Sequence, residues 1–167
     1  MGIYARLATR DLAIAGAALA LWWLAAGASA GDGALADLSG VAVGLLVGAL
    51  TFLLHEWGHL LGALASRSRI RAPAGLRSLY LFSFDSRQNS LRQFLAMSLA
   101  GFASTALAVL AWYAWLPSEL LATRVARGVG MLSVALTLVL EVPLVGYALL
   151  GRGLPPVETS ASHRRRA

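Results

Sequence analysis

The sequence predicts an all-α membrane protein of about four transmembrane helices, and three observations predict it. Hydrophobic residues make up 58% of the 167 residues and charged residues 13%, and the mean hydropathy of +0.69 is far above that of a water-soluble domain. Four apolar stretches, 12–30, 38–65, 94–116 and 128–150, each reach about the twenty residues that a helix needs to cross the hydrocarbon core. The fourteen basic residues, all arginine, lie between or beyond these stretches and fall mainly on one side. Residues 1–154 therefore read as one transmembrane bundle, and 155–167 as a polar, basic and disordered cytoplasmic tail.

Taken in order, Arg6 and Arg10 precede the first span, whereas the connection after it holds Asp32 and Asp37 and no basic residue. The amino terminus is expected to face the cytoplasm. Ala28-Ser29-Ala30 after an apolar run also fits a signal-peptide cleavage site, but the length of the stretch favours an uncleaved anchor. The second connection carries Arg67, Arg69, Arg71, Arg77, Arg87 and Arg92, the third only Arg124 and Arg127, and the tail Arg152, Arg164, Arg165 and Arg166. Both termini and the second connection are then cytoplasmic, in a membrane of the bacterial inner type. Within that connection, residues 78–84 mix aromatic and small residues at near-alternating period, which predicts a short strand or β-hairpin between helices 2 and 3. Gly40, Gly44 and Gly48, with Gly58 and Gly62 beyond them, predict close packing along the second helix.

The formal net charge of +6 does not imply a nucleic-acid partner, because the arginines follow membrane topology rather than forming a patch with aromatic residues. The chain has no cysteine, which excludes disulfides, thiolate catalysis and cysteine-ligated metal.

The chemistry is concentrated in the second span, which reads Leu54-His55-Glu56-Trp57-Gly58-His59-Leu60. In a helix, His55 and His59 lie one turn apart on one face and can take two corners of a zinc tetrahedron, with Glu56 beside them. Zinc lowers the pKa of the water it binds, and a neighbouring carboxylate accepts the proton for attack on a peptide carbonyl. With so few His and Glu in the chain, His-Glu-x-x-His arises by chance with a probability of about one in a thousand. At membrane depth these groups cost several kcal/mol unless paired, buried or metal-bound. A polar cluster that only hydrogen-bonds between helices is the bland alternative. Haem ligation is disfavoured, since histidines one turn apart cannot take opposite faces of a porphyrin.

His-Glu-Trp-Gly-His in a membrane helix resembles the site-2 protease family, whose motif is His-Glu-x-x-His. Ser98-Leu99-Ala100-Gly101-Phe102-Ala103-Ser104-Thr105 looks like the family's Ala-Gly-Pro segment on the next core helix, with Phe102 in place of Pro and Thr105 where Asn is frequent. The resemblance covers residues 38–150. It implies an intramembrane zinc metalloprotease that cuts a transmembrane segment of a membrane-protein substrate near the cytoplasmic side, with His55 and His59 as ligands and Glu56 as general base. The family's third ligand, an Asp in an Asp-Gly motif on the following core helix, has no counterpart there.

Glu141 is the expected replacement, as the one acidic residue within 128–150. Counting about 1.5 Å per residue from the cytoplasmic ends, His59 lies roughly 12 Å deep, His55 roughly 18 Å and Glu141 roughly 16 Å, so the three can meet at one level. Pro143 frees the carbonyl of Val139 nearby. A Glu141 carboxyl bonded to Thr137 one turn back, and Asp85 reaching in from the cytoplasmic loop as the metal ligand, are the competing readings. The alternative function is a catalytically silent membrane protein of the same fold that binds or stabilises a partner.

Overall fold

The computed structural model describes residues 2–28, 33–151 and 153–155; the expected disordered tail beyond Pro155 and the candidate cleavage site at Ser29 and Ala30 lie outside the described residues. The chain is mostly helical, in the order α1 (Ile3–Ala28), α2 (Ala34–Ala65), β1 (Ile70–Arg71), β2 (Ser83–Phe84), α3 (Leu91–Trp115), α4 (Leu121–Leu136), a π-helical turn (Thr137–Glu141) and α5 (Val142–Leu149). Among the described residues, four helical stretches are long and apolar enough to cross a membrane: Ile3–Ala26, Ala34–Ala65, Leu91–Trp115 and Leu121–Leu149.

The helices outrun the apolar stretches because polar residues at their ends find partners rather than ending the helix. α1 begins at Ile3 rather than 12, so Arg6, Arg10 and Asp11 are helical. α3 begins at Leu91 rather than 94, since the Ser90 side chain accepts the Gln93 backbone N–H and the Gln93 side chain returns a bond to the Ser90 backbone. The last span begins at Leu121 rather than 128, which moves Arg124 and Arg127 from the expected connection into α4. Arg127 turns back to the C-terminal carbonyls of α3, donating to Trp112, Tyr113 and Leu116, where a cation also suits the helix dipole.

α2 is central and touches α1, α3 and α4. Its glycine stripe lets backbones meet, as expected. A Cβ on Gly44 would lie 2.5 Å from the Ala122 carbonyl oxygen, one on Gly48 2.5 Å from the Val129 Cβ, and one on Gly62 2.5 Å from the Ala96 carbonyl oxygen. α4 thus lies against one stretch of α2 and α3 against another. Trp112 ties α3 to α2 by donating its indole N–H to Thr51, which is fully buried, at 2.9 Å.

α2 ends where Arg67 adopts φ 54 and the Ser68 N–H bonds back to the Ala63 carbonyl. The expected strand is present in a different pairing. Only Ser83–Phe84 of 78–84 is extended, and its antiparallel partner is Ile70–Arg71, with Ile70 opposite Phe84. The intervening 72–82 loop drops Leu81 and Phe82 into a hydrophobic cluster with Leu7 of α1, Leu60 of α2, Phe94 and Met97 of α3, and Ala148 of α5. That cluster seats the loop against the helix that carries His55, Glu56 and His59.

Candidate metal centre

α2 presents His55, Glu56 and His59 toward α3 and the last helix, and small residues on both sides make room for them. Gly58 faces Ala100 and Ser104 of α3, and Gly101 of α3 lies directly against the His59 ring. The spacing of Met97, Gly101 and Thr105 is one face of α3, and each position meets an imidazole. His55 Nδ1 lies 2.8 Å from the Thr105 hydroxyl and 3.2 Å from the Gly101 carbonyl, and His59 Nδ1 lies 3.0 Å from the Met97 carbonyl.

A carbonyl only accepts, so an Nδ1–H on each ring would meet these oxygens and leave both Nε2 atoms facing inward. The two Nε2 atoms are 2.9 Å apart. Glu141 closes the triangle, with Oε1 2.9 Å from His55 Nε2 and Oε2 3.1 Å from His59 Nε2. A proton held between these groups or a divalent cation at their common focus would satisfy them, since bare lone pairs at this separation repel. His55, His59 and Glu141 therefore lie close enough to hold a metal ion, all within 4.8 Å.

Glu141 reaches this point through the π-helical turn. Pro143 has no N–H, and in an unbroken α-helix its ring would strike the carbonyl of Val139. The chain admits one extra residue, with the Val142 N–H bonding to the Thr137 carbonyl five residues back. Glu141 takes φ −101 and turns inward, while Val139 and Leu140 are 69% and 60% exposed. The sequence pointed to a break here but not to its form. The carboxylate meets the histidines rather than Thr137.

Glu56 is buried and its carboxyl faces the backbone N–H of Leu81. It borders the same cavity as the triad, of about 190 Å³, lined also by Tyr80, Phe82, Phe84, Phe94, Met97, Ser98 and Leu144. Asp85 is not brought to this site. It closes the turn after β2, accepting the Arg87 N–H at 3.0 Å and the Gln88 side chain at 2.6 Å, with Arg71 3.6 Å away. Its oxygens are thus engaged on the loop, and it is not one of the three grouped donors.

Several residues of the site escaped the sequence reading. Thr105 and Gly101 were legible as a motif but not as partners of the rings; their places four and eight residues after Met97 are the signal that could have found them. Leu81 gave no signal, because its contribution is a backbone N–H. Comparison with protein-family models, with curated proteins and with solved structures finds no match.

Proposed function

We propose that this chain is a membrane-embedded zinc metallopeptidase that hydrolyses a peptide bond in or near a transmembrane segment of a substrate protein, as its resemblance to the site-2 proteases implies. One observation carries the reading: two histidines one turn apart and a carboxylate from another helix converge on a point, with the buried Glu56 on the same cavity. A structural metal site has no need of Glu56, and an interhelical polar cluster has no need of three converging lone-pair donors.

His55, His59 and Glu141 would hold the zinc, a donor set of two nitrogens and one oxygen that leaves a fourth position open, as catalytic sites do. Bound there, zinc would polarise the scissile carbonyl and make a water molecule more acidic. Glu56 takes a proton from that water as its oxygen joins the carbonyl carbon, then hands the proton to the amine nitrogen as the C–N bond breaks. The Thr105 hydroxyl and the Gly101 and Met97 carbonyls keep both rings in one tautomer and orientation. Tyr80, Phe82 and Phe84 line the cavity from the loop side, where they limit water and pack against substrate side chains. The four apolar helices and the arginine asymmetry support a bilayer location with both termini cytoplasmic. Glu141 lies on the most exposed of the four stretches, 11% buried, which supports entry of a substrate helix from the lipid.

Metal analysis of protein purified in mild detergent tests the proposal. Wild type should carry about one zinc per chain; His55→Ala and His59→Ala should lose metal and cleavage together. Glu56→Gln should keep zinc and lose cleavage, because an amide fills the space but accepts no proton. Wild-type protein that holds no zinc, and takes none when supplied, would leave a silent membrane scaffold as the better account.

A further inference from the structure

Asp11 is unexplained by membrane topology. Arg6 and Arg10 are the residues that a positive-inside signal uses, and an acid beside them adds nothing to it. Yet Asp11 is 5% exposed within α1, and burying a carboxylate is costly unless it is fully bonded. Its Oδ2 accepts the indole N–H of Trp57 at 2.9 Å, and its Oδ1 accepts the Arg10 Nε–H at 2.7 Å. The other end of the Arg10 guanidinium donates to the carbonyls of Leu76 and Ser78, the latter at 2.8 Å.

These contacts join the two elements that enclose Glu56. Trp57 is the next residue along α2, in the turn between His55 and His59. Leu76 and Ser78 begin the stretch that runs on to Tyr80 and Phe82, which line the cavity, and to Leu81, whose backbone N–H meets the Glu56 carboxyl. The 72–82 loop has no strand pairing of its own, so two of its carbonyls are fixed by one planar, rigid donor fork. A carboxylate holds that fork in place and is itself anchored to the catalytic turn.

We infer that Arg10 and Asp11 are positioning residues, which set the 76–82 loop at the distance from α2 where Leu81 faces Glu56 and Tyr80 and Phe82 shape the substrate cavity. The inference rests on the peptidase reading for its activity arm alone. Neither residue touches the metal donors, so their loss should move the loop without emptying the site.

The test uses the full chain in detergent with Arg10→Lys and Asp11→Asn. Lysine keeps the charge that topology needs but cannot span a carboxylate and two carbonyls; asparagine keeps the shape and removes the charge. Arg77 is exposed and lies between the two pinned carbonyls, so trypsin reports on the pinning directly. Mass spectrometry should find cleavage at Arg77–Ser78 about 10-fold faster in both variants, while cleavage at Arg87–Gln88 is unchanged and zinc per chain stays at the wild-type level. Turnover of a transmembrane substrate should fall roughly 10- to 100-fold, the usual cost of misplacing a substrate-facing group by about 1 Å. Unchanged tryptic rates at Arg77 in both variants would overturn the inference, and so would loss of zinc, which would reduce the pair to a folding element. If wild type proves inactive, the peptidase reading fails while the tryptic arm still decides whether the pair holds the loop.

Discussion

Replacing Gly101 by alanine should displace the His59 ring and weaken metal binding while leaving the fold intact. A Cβ built at Gly101 would sit 2.3 Å from His59 Cε1 and 2.5 Å from Nδ1, whereas ordinary contact needs about 3.4 Å or more. The ring must retreat by roughly 1 Å, because the alanine is anchored to a helix backbone that is itself packed. Retreat stretches the 3.0 Å bond from Nδ1 to the Met97 carbonyl and carries Nε2 away from the focus it shares with His55 and Glu141. Losses of ligand orientation of this kind cost about 10- to 100-fold in metal affinity, or roughly 1.4–2.7 kcal/mol. The backbone has no reason to object, since alanine is favoured over glycine within a helix by about 1 kcal/mol. The assay is a zinc titration against a competing chelator, with circular dichroism and thermal unfolding to verify the fold. Gly128→Ala serves as a control, because nothing lies within 4 Å of its added carbon. Wild-type zinc affinity in Gly101→Ala would mean that the His59 ring does not occupy the place from which this cost is worked, and the triangle of donors would have to be abandoned.

Three further outcomes are expected. Glu141→Gln should lower zinc affinity by about 100-fold or more, since about 10–16 kcal/mol for a four-ligand site implies about 3 kcal/mol per ligand, whereas Asp85→Asn should leave it unchanged; the reverse pattern in a metal titration would move the third ligand to the loop. Gly48→Leu should unseat α4 from α2 and lower the unfolding temperature in detergent far more than Gly128→Leu, because its side chain must displace Val129 from 2.5 Å. Reporters fused at Arg71 and after Arg152 should score as cytoplasmic and one at Gly33 as external; reversal of all three would refute the orientation read from the arginines.

The sequence by itself determined the helical class, the number of long apolar helices and the face on which His55, Glu56 and His59 lie, because hydropathy and the 3.6-residue period are local properties of the chain. It also narrowed the third donor to Glu141 or Asp85, since an acid inside an apolar stretch is conspicuous. Only the tertiary structure shows that Glu141, and not Asp85, lies beside the histidines, because bringing it there depends on a π-helical turn whose extra residue has no signature beyond Pro143, while Asp85 is occupied by its own turn. Helix ends were equally out of reach of hydropathy. Arg10, Asp11 and Arg127 look like loop residues until their partners come into place: the carbonyls of Leu76 and Ser78 and the indole N–H of Trp57, many tens of residues away, and the Leu116 carbonyl across a helix junction. Charges inside a helix are tolerated when folding supplies partners, and such partners are long-range facts that no window along the chain contains.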